Sequence, residues 1–360
     1  GERIRVGYVS SHFRGHTISK LFLGWVRNHN QADFEVYTYY TGDLVDQFTE
    51  QWRHNSDRFH HIPALESVCT QVVADQLHVL VFTDVGMDPQ MAQMVGLRLA
   101  PVQCAAWGHP VTTGLPTVDY FLTSDEMEPG DAQRYYLERL VRLPKISICY
   151  PRPEVPERTR DRRDFRLRDD AVIYLSCQSL FKYLPQFDGI FPAIAQRVPH
   201  SQFAFISHPG TGTTATFRER LKRAFALVGL ESEDYCILLT QQTQEEYFNL
   251  NLIADIFLDT LGWSGGNTTL EALACGLPVV TCPGAFMRGC HASAMLRVLG
   301  IDETIARDEN AYIDIAVRLG QDPSWREQVI RETHQRLDRL FEEPTCVAAL
   351  EEFYRQAVLG

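Results

Sequence analysis

The sequence predicts an α/β protein with two doubly wound parallel sheets, one in each half of the chain. In both halves, short and almost continuously apolar runs alternate with helical periodicity, which is typical of parallel strands buried on both faces. A proline-rich segment separates the two series. The 360 residues, 45% of them hydrophobic, are sufficient for two cores. We expect two Rossmann-like domains facing each other across a cleft, with ligands beyond the carboxyl ends of the strands.

The first half contains five apolar runs of strand length. They are residues 4–10, 34–40, 77–83, 102–107 and 120–124. Between the third and fourth runs, Met91, Met94, Val95 and Arg98 recur at helical spacing and predict a helix packed on the sheet.

The second half repeats the pattern. Its expected strands are residues 171–177, 202–207, 235–239, 256–259 and 278–282. Phe217, Leu221, Phe225 and Val228 predict an intervening helix that Gly229 stops.

The domain boundary is expected near residues 150–156, where three prolines fall within six residues. A charged run, 157–170, follows. We therefore assign residues 1–152 to an N-terminal domain and 165–342 to a C-terminal domain. Residues 343–360 are expected to form a helix that packs back on the N-terminal domain.

Composition narrows the choice of partners and compartment. The net charge of −12 repels a phosphate backbone, so we expect no nucleic-acid partner. No apolar stretch approaches bilayer-spanning length, and the chain opens without a signal-type apolar core, so we expect no membrane association. Its nine scattered cysteines include no C-x-x-C pair, which indicates reduced thiols in a cytoplasmic protein rather than a zinc site or disulfides.

The loop after the strand at 256–259 is the strongest candidate site. Gly265 and Gly266 precede Asn267, Thr268 and Thr269 at the start of a short helix. Exposed amides, the helix dipole and two hydroxyls suit a diphosphate. The alternative is an ordinary helix start, with Thr268-x-x-Glu271 as a capping box or Asn267 as the N-cap. Glu271 also suits the hydroxyls of a ribose.

A second loop, which contains Gln178 and Ser179, follows the strand at 171–177 and ends in Lys182. An ammonium group at a strand end can neutralise a diphosphate leaving group. The alternative is a solvent-exposed lysine without a role.

The residues of three loops in the first half do not by themselves identify the roles of these loops. His16 follows the first strand, but the loop lacks a G-x-G-x-x-G motif, so a nicotinamide or flavin site is not supported. Gly108, His109 and Pro110 lie in a rigid loop that suits a sugar ring or is simply a tight turn. The segment 84–88 offers two carboxylates, Asp84 and Asp88.

These motifs together resemble one family. Residues 5–11 with His16, and the segments 99–103, 108–110, 112–120, 140–144 and 265–281, are similar to the catalytic region of protein O-GlcNAc transferase and SPINDLY-type glycosyltransferases. The resemblance covers essentially the whole chain, with the motifs in the same order.

The resemblance implies a GT-B fold and inverting transfer of a sugar, most simply GlcNAc from UDP-GlcNAc, to Ser or Thr hydroxyls of a protein or peptide. It implies an acceptor-side N-terminal domain and a C-terminal domain that holds the nucleotide sugar. Neither a metal nor a cofactor is expected, and the chain has no strand-end D-x-D motif. By this resemblance Lys182 contacts the diphosphate, Thr268 and Thr269 bind phosphate, and Glu271 binds ribose. His16 is the family's active-site histidine near sugar and acceptor, and either His16 or the donor phosphate takes the proton of the acceptor hydroxyl.

The sequence departs from the family in two respects. The upstream tetratricopeptide repeats are absent, so acceptor capture differs or the chain is an excised catalytic region. In 241–250, which includes the donor-binding candidates Gln242 and Tyr247, the basic residues of the animal enzyme are replaced. UDP-glucose and GDP-fucose therefore remain alternative donors. A nucleotide-sugar epimerase or hydrolase, or a binding module without turnover, is the rival function.

Overall fold

The computed structural model describes residues 2–207 and 212–360, and it divides the chain into two compact units. Unit 1 comprises Gly1–Pro151 and Phe341–Gly360, and unit 2 comprises Arg152–Leu340. Each unit is built on a parallel sheet, so the predicted pair of doubly wound α/β units is confirmed. None of the helices in the described ranges is long and apolar enough to cross a membrane.

Helices follow most of the strands in the described residues, and after β12 the chain is helical. The strands are β1 (Ile4–Ser10), β2 (Phe34–Tyr40), β3 (Arg58–His61), β4 (Val79–Phe82), β5 (Val102–Ala106), β6 (Tyr120–Ser124), β7 (Arg139–Leu143), β8 (Val172–Leu175), β9 (Ser201–Ile206), β10 (Cys236–Leu239), β11 (Ile256–Leu258) and β12 (Val279–Val280). The α-helices are α1 (Thr17–Asn28), α2 (Gln47–Asn55), α3 (Leu65–Ala74), α4 (Pro89–Met94), α5 (Ile190–Arg197), α6 (Thr213–Ala226), α7 (Ser232–Tyr235), α8 (Gln244–Ile253), α9 (Asn267–Ala274), α10 (His291–Leu299), α11 (Glu309–Gln321), α12 (Pro323–Arg336) and α13 (Thr345–Leu359).

The sheet of unit 1 has seven parallel strands in the order β3-β2-β1-β4-β5-β6-β7. The chain runs outward from β1 to β2 and β3, then crosses to β4 and continues the other way. Strand order therefore reverses between β1 and β4, where Val9 lies opposite Phe82. Loops that follow the two strands at such a switch point diverge and leave room for a ligand.

The sheet of unit 2 repeats the plan with five parallel strands, in the order β10-β9-β8-β11-β12. Its switch point lies between β8 and β11, where Leu175 is opposite Phe257. The central strands are buried on both faces: Ile173, Tyr174 and Leu175 are fully inaccessible. This two-sided burial explains why the strands are apolar at successive positions.

Two strands of unit 1 were not predicted from the sequence. Both β3 and β7 are edge strands, and their sequences, Arg-Phe-His-His and Arg-Leu-Val-Arg-Leu, place charged or polar residues among apolar ones. Edge strands pair on one side only and commonly carry such residues, so a search for continuous apolar runs misses them.

The helix predicted around Met91 is shorter than expected. Met91, Met94 and Val95 are buried, but α4 ends at Met94 and Arg98 lies outside it. The Arg98 guanidinium instead binds the Asp119 carboxylate, with N–O distances of 2.5 and 3.0 Å.

The last helix, α13, contributes to the core of unit 1. The hydroxyl of Tyr354 lies 3.1 Å from that of Tyr8 on β1, and Glu351 Oε1 lies 3.2 Å from His29 Nδ1 just after α1. All four side chains are buried.

Candidate functional site

The residues predicted from the sequence fall into two groups. Unit 2 contains Gln178, Ser179, Lys182, Gln242, Tyr247, Gly265, Gly266, Asn267, Thr268, Thr269 and Glu271. Unit 1 contains His16, Gly108, His109 and Pro110. In each unit the main candidates follow the two strands at the switch point, β8 and β11 in unit 2 and β1 and β4 in unit 1, or the strand beside them.

The glycine loop of unit 2, residues 262–266, leads from β11 into α9. Gly266 is the N-cap of α9 and no side chain caps the helix, so the capping box of Thr268 with Glu271 and the Asn267 N-cap are both wrong. The first backbone bond of the helix is donated by Leu270 N to Gly266 O at 3.3 Å. The amides of Thr268 and Thr269 precede that bond, as amides available to an anion do.

Two hydroxyls close around the same point. The Oγ1 atoms of Thr268 and Thr269 are buried, and neither has a hydrogen-bond partner in the described chain. A Cβ atom added to Gly265 would lie 2.4 Å from Thr268 Oγ1 and 3.0 Å from Thr269 Oγ1. Position 265 therefore has to be glycine. A buried hydroxyl without a partner costs free energy, so this pair indicates a ligand that supplies acceptors.

Asp259 at the end of β11 holds the glycine loop in place. Its carboxylate accepts bonds from Gly265 N (2.7 Å), Ser264 Oγ (2.6 Å) and Thr281 Oγ1 (2.7 Å). Burial raises the pKa of Asp259 to about 6, although these hydrogen bonds act to lower it. Sequence reasoning treated this residue only as the end of a strand. Its position just before a glycine loop was the available signal.

Lys182 reaches the glycine loop from the loop that follows β8. Its Nζ lies 5.2 Å from the ring centroid of Trp263 and 3.3 Å from Gln178 Oε1, which also accepts from Ser179 N. Burial lowers the pKa of Lys182 below its ordinary value, because desolvation disfavours the ammonium form. No carboxylate of the described residues pairs with Lys182, and the side chain is only partly accessible, so the exposed-lysine alternative does not describe it.

A second cation lies on the same indole. The Cζ atom of Arg288 is 6.0 Å from the Trp263 ring centroid and 4.5 Å from that of Phe286, and Arg288 forms no ion pair within residues 2–207 and 212–360. His291 is buried next to this group, with Nδ1 3.3 Å from Ser264 O. Burial and the nearby charge of Lys182 lower the pKa of His291 to about 4, so its imidazole is neutral at pH 7.

Glu271 on α9 and Tyr247 on α8 are both close to Cys177, which follows β8. Glu271 is 4% exposed. Burial first, and then the charge of Glu271, raises the pKa of the Cys177 thiol, and burial, Cys177 and Glu271 raise the pKa of the Tyr247 hydroxyl. Gln242 instead donates its amide to Thr240 O at 2.7 Å, within the loop that precedes α8.

In unit 1, His16 is the N-cap of α1. Its Nδ1 accepts a bond from Ile18 N at 3.2 Å. Burial, followed by the neighbouring His12 and Arg14, lowers the pKa of His16 to about 4. A neutral ring whose Nδ1 is an acceptor carries its proton on Nε2, so His16 offers an N–H donor.

The Gly108-His109-Pro110 loop lies against the end of β4. Gly108 N donates to Thr83 O at 3.0 Å, and a Cβ atom on Gly108 would lie 2.3 Å from that oxygen. The ring of His109 lies against Gly86, where a Cβ atom would be 2.8 Å from His109 Cδ2. The loops after β4 and β5 are thus in contact, and glycine is required for the close approach.

One pair in unit 1 was missed by sequence reasoning. His12 Nδ1 lies 2.6 Å from Asp84 Oδ2, and the ring centroids of His12 and His16 are 4.4 Å apart. Asp88, the second carboxylate noted in this segment, accepts from Gln90 N and Met91 N as the N-cap of α4. The available signal was that His12 and Asp84 each follow a strand of the switch point.

The chemistry of the two groups differs. In unit 2 the amides and hydroxyls of Thr268 and Thr269 lie at the start of α9, and Lys182 and Arg288 lie near Trp263 of the glycine loop; amides, hydroxyls and cations of this kind suit an anion such as a diphosphate. Unit 1 presents imidazoles and a buried carboxylate, which handle protons. The described ranges contain no group of three or more His, Cys, Asp or Glu side chains that could hold a metal ion.

Comparison with known proteins agrees with this geometry. The family model of glycosyl transferase family 41 matches residues 1–149 and 153–343. The probable UDP-N-acetylglucosamine–peptide N-acetylglucosaminyltransferase SPINDLY of Solanum lycopersicum is 27% identical over 324 residues, which cover 88% of this chain and 34% of that protein. The corresponding enzyme SEC of Arabidopsis thaliana is 26% identical over 334 residues, 88% of this chain and 33% of that protein. The chain thus spans about a third of the length of these curated relatives.

Solved structures give the same result. A mutant O-GlcNAc transferase of Thermobaculum terrenum superposes with a TM-score of 0.86 and 29% identity, covering 99% of this chain and 68% of that one. Sucrose-phosphate synthase of Thermosynechococcus elongatus, with a TM-score of 0.63, 15% identity and coverage of 98% and 99%, shares the fold alone. The predicted GT-B fold class and the predicted family are confirmed. The chain belongs to glycosyl transferase family 41.

Proposed function

We propose that this chain is an inverting glycosyltransferase that moves GlcNAc from UDP-GlcNAc to Ser or Thr hydroxyls of proteins, without a metal or another cofactor. The observation that carries the proposal is that the buried hydroxyls of Thr268 and Thr269, which have no partner among the described residues, and the ammonium of Lys182, which has no carboxylate partner there, both adjoin the glycine loop of unit 2. The similarity to a plant protein named as a probable UDP-N-acetylglucosamine–peptide N-acetylglucosaminyltransferase and to a bacterial O-GlcNAc transferase supports the sugar and the acceptor class.

The donor diphosphate would occupy the N-terminus of α9. Its oxygens would accept from the amides and hydroxyls of Thr268 and Thr269, while Lys182 and Arg288 balance its charge. As the bond from the anomeric carbon to the diphosphate breaks, negative charge grows on the leaving oxygen, and a partly desolvated ammonium nearby stabilises that charge strongly. Removal of one such donor costs about 3 kcal/mol in comparable sites.

The nucleoside would extend towards Glu271 and Tyr247. A carboxylate that is 4% exposed suits the two hydroxyls of a ribose, because both can donate to it. Gln242 lies at the start of the same segment and would contact the base.

The acceptor hydroxyl would be handled by unit 1. A single displacement by this hydroxyl on the anomeric carbon inverts that centre and needs no covalent intermediate. His16 would donate from Nε2 to an oxygen of the sugar or acceptor, and the Gly108-His109-Pro110 loop would contact the sugar. The nine cysteines are all free, which supports a reducing, cytoplasmic setting for the reaction.

The test is incubation of the protein with UDP-GlcNAc, UDP-glucose or GDP-fucose and a dephosphorylated cell lysate, followed by mass spectrometry of intact peptides. We expect HexNAc on Ser and Thr with UDP-GlcNAc only. A matched reaction without lysate measures donor hydrolysis or epimerisation. Conversion of the donor in that reaction, with no sugar on protein, would replace transfer by the hydrolase or epimerase function. Donor binding without any conversion would leave a binding module.

A further inference from the structure

His12 and Asp84 form a hydrogen-bonded pair at the switch point of unit 1. His12 follows β1 and Asp84 follows β4, and these strands are neighbours in the sheet. The distance between His12 Nδ1 and Asp84 Oδ2 is 2.6 Å. The side chain of Asp84 is 1% exposed and that of His12 is 16% exposed. A buried carboxylate is therefore bound to a ring that solvent and substrate can still reach.

Asp84 is fixed on its other side as well. Thr83 Oγ1 donates to Asp84 Oδ1 at 2.8 Å, so both carboxylate oxygens have donors. Ser11 Oγ lies 3.2 Å from the same His12 Nδ1. Both of these hydrogen-bond contacts of the His12 ring, with Asp84 and Ser11, are made by Nδ1, and none of the contacts found in the described ranges uses Nε2.

The hydrogen bonds give the two neighbouring histidines opposite tautomers. Asp84 accepts, so His12 carries its proton on Nδ1 and has a lone pair on Nε2. His16 Nδ1 accepts from Ile18 N, so His16 carries its proton on Nε2. Of the two rings, whose centroids are 4.4 Å apart, only His12 has a basic nitrogen without a structural bond.

We propose that His12 is the general base of the transfer and that Asp84 is its positioning residue, an inference that rests on the function proposed above. His12 Nε2 takes the proton of the Ser or Thr hydroxyl while the hydroxyl oxygen forms its bond to the anomeric carbon. The bond from that carbon to the diphosphate oxygen breaks, and its electron pair leaves with the nucleoside diphosphate. The imidazolium that forms is held against the Asp84 carboxylate.

Several polar groups lie around the ring of His12. The Asp84 carboxylate is hydrogen-bonded to Nδ1, and the His16 ring lies against His12 as a neutral group at pH 7, because burial lowers the pKa of His16 to about 4. Hydrogen bonds from Ser11 and two amides of α4, and the charge of His12, lower the pKa of Asp88. The Asp84 carboxylate is thus already in contact with the ring that becomes an imidazolium when the proton is transferred.

The test uses His12→Gln in the full chain with UDP-GlcNAc and an acceptor peptide found by the lysate experiment. We expect kcat to fall by about 100-fold or more, the usual contribution of a general base, with the KM for the donor unchanged. The fall of kcat towards acid pH in the wild type should be absent in H12Q. Asp84→Asn should lower kcat and leave the KM for the donor unchanged, because the imidazolium loses the carboxylate that holds it.

His60→Gln is the matched control. His60 Nε2 lies 3.2 Å from Asp75 Oδ2, a second histidine and carboxylate pair in unit 1, but on the edge strand β3. H60Q should keep the wild-type kcat and pH profile. His12→Ala with added imidazole should recover part of the lost rate, which a purely structural role for His12 does not allow.

The proposal is overturned if H12Q keeps most of its kcat or retains the acidic limb. A folding defect is recognised by circular dichroism and by weakened UDP binding in calorimetry, and in that case the imidazole rescue of H12A decides. Absence of protein glycosylation by the wild type would instead remove the proposed function, so the two failures are distinct.

Discussion

Gly265 donates its backbone amide to Asp259 Oδ1 over 2.7 Å, and this bond attaches the glycine loop to the end of β11. The other carboxylate oxygen accepts from Ser264 and Thr281. One buried side chain thus connects the glycine loop, the end of β11 and Thr281, the residue that follows β12. The amide of Gly265 is therefore bound to Asp259, whereas the amides of Thr268 and Thr269 precede the first backbone bond of α9. The position of α9's N-terminus depends on this buried acid.

Asp259→Asn is expected to destabilise unit 2 and weaken UDP binding. The amide group has one acceptor oxygen, so at least one buried donor loses its bond, at a cost of about 1–3 kcal/mol. The folded-state pKa of about 6 lies above the ordinary value of 3.8, so the folded protein holds this proton more tightly. The stabilisation from Asp259 is therefore complete below about pH 4 and declines as pH rises to about 6.

Urea unfolding of the wild type and D259N at both ends of this range measures the effect. The difference in unfolding free energy between the two should be larger at the acidic end. Asp234→Asn is the control, because it changes an exposed carboxylate outside this hydrogen-bond network. A pH-independent difference for D259N would mean that Asp259 has an ordinary affinity for its proton.

Thr268→Val and Thr269→Val are expected to stabilise the free protein and impair donor binding. Each removes a buried hydroxyl without a partner, so the unfolding free energy should rise by about 1 kcal/mol. Loss of a hydrogen bond to a charged phosphate should weaken UDP binding about 10-fold. Denaturant unfolding and calorimetry with UDP measure the two effects.

Thr333→Val on α12 is the matched control, because Thr333 Oγ1 is also buried without a partner in the described part of the chain. It should give the gain in stability with unchanged affinity. Equal affinity for UDP in T268V, T269V and the wild type would exclude the two hydroxyls from the donor site.

Most of the fold could be predicted because strands that are buried on both faces have apolar residues at successive positions. β1, β2 and β6 were predicted with the bounds that the structure gives them. β3 and β7 could not be predicted, since their positions at the edges of the sheet become known only from the strand order. The spacing of apolar residues also did not predict the length of α4, since this helix ends at Met94, before Arg98.

The candidate site could also be predicted only in part. Loops after strands could be recognised, so Lys182 and the residues 265–269 could be named as candidates from the sequence. Contacts between loops could not, because they depend on which strands are adjacent. The pairing of His12 with Asp84 requires β1 next to β4, although 72 positions separate the two residues. Likewise, the two cations near Trp263, Lys182 and Arg288, come from segments far from it or from each other in sequence.

Lys182→Ala is expected to abolish most of the transfer while preserving the fold. Loss of the ammonium beside the leaving group should lower kcat by about 100-fold or more. Burial lowers the pKa of Lys182, so its charge costs free energy in the unliganded protein at neutral pH. K182A should therefore unfold at an equal or slightly higher temperature. The turnover and the melting temperature of K182A are measured together. The control is Lys222→Ala, since Lys222 is an exposed residue of α6. A K182A protein with most of its turnover would remove Lys182 from the mechanism.

His16→Ala and His16→Asn separate the two roles of His16. Asparagine can cap α1 as the imidazole Nδ1 does, whereas alanine cannot, so H16A should be less stable than H16N by about 1 kcal/mol. Both variants lose the Nε2–H donor, so both should lose turnover to a similar extent.

Because the folded-state pKa of His16, about 4, lies below the ordinary value of 6.5, unfolding takes up a proton between these values. The stability of the wild type relative to H16N should therefore fall as pH drops through this range. Denaturant unfolding at a series of pH values, with turnover at neutral pH, tests both roles. Full turnover in H16N would assign the effect of His16 to the helix cap alone, and the ring would then have no contact with the substrates.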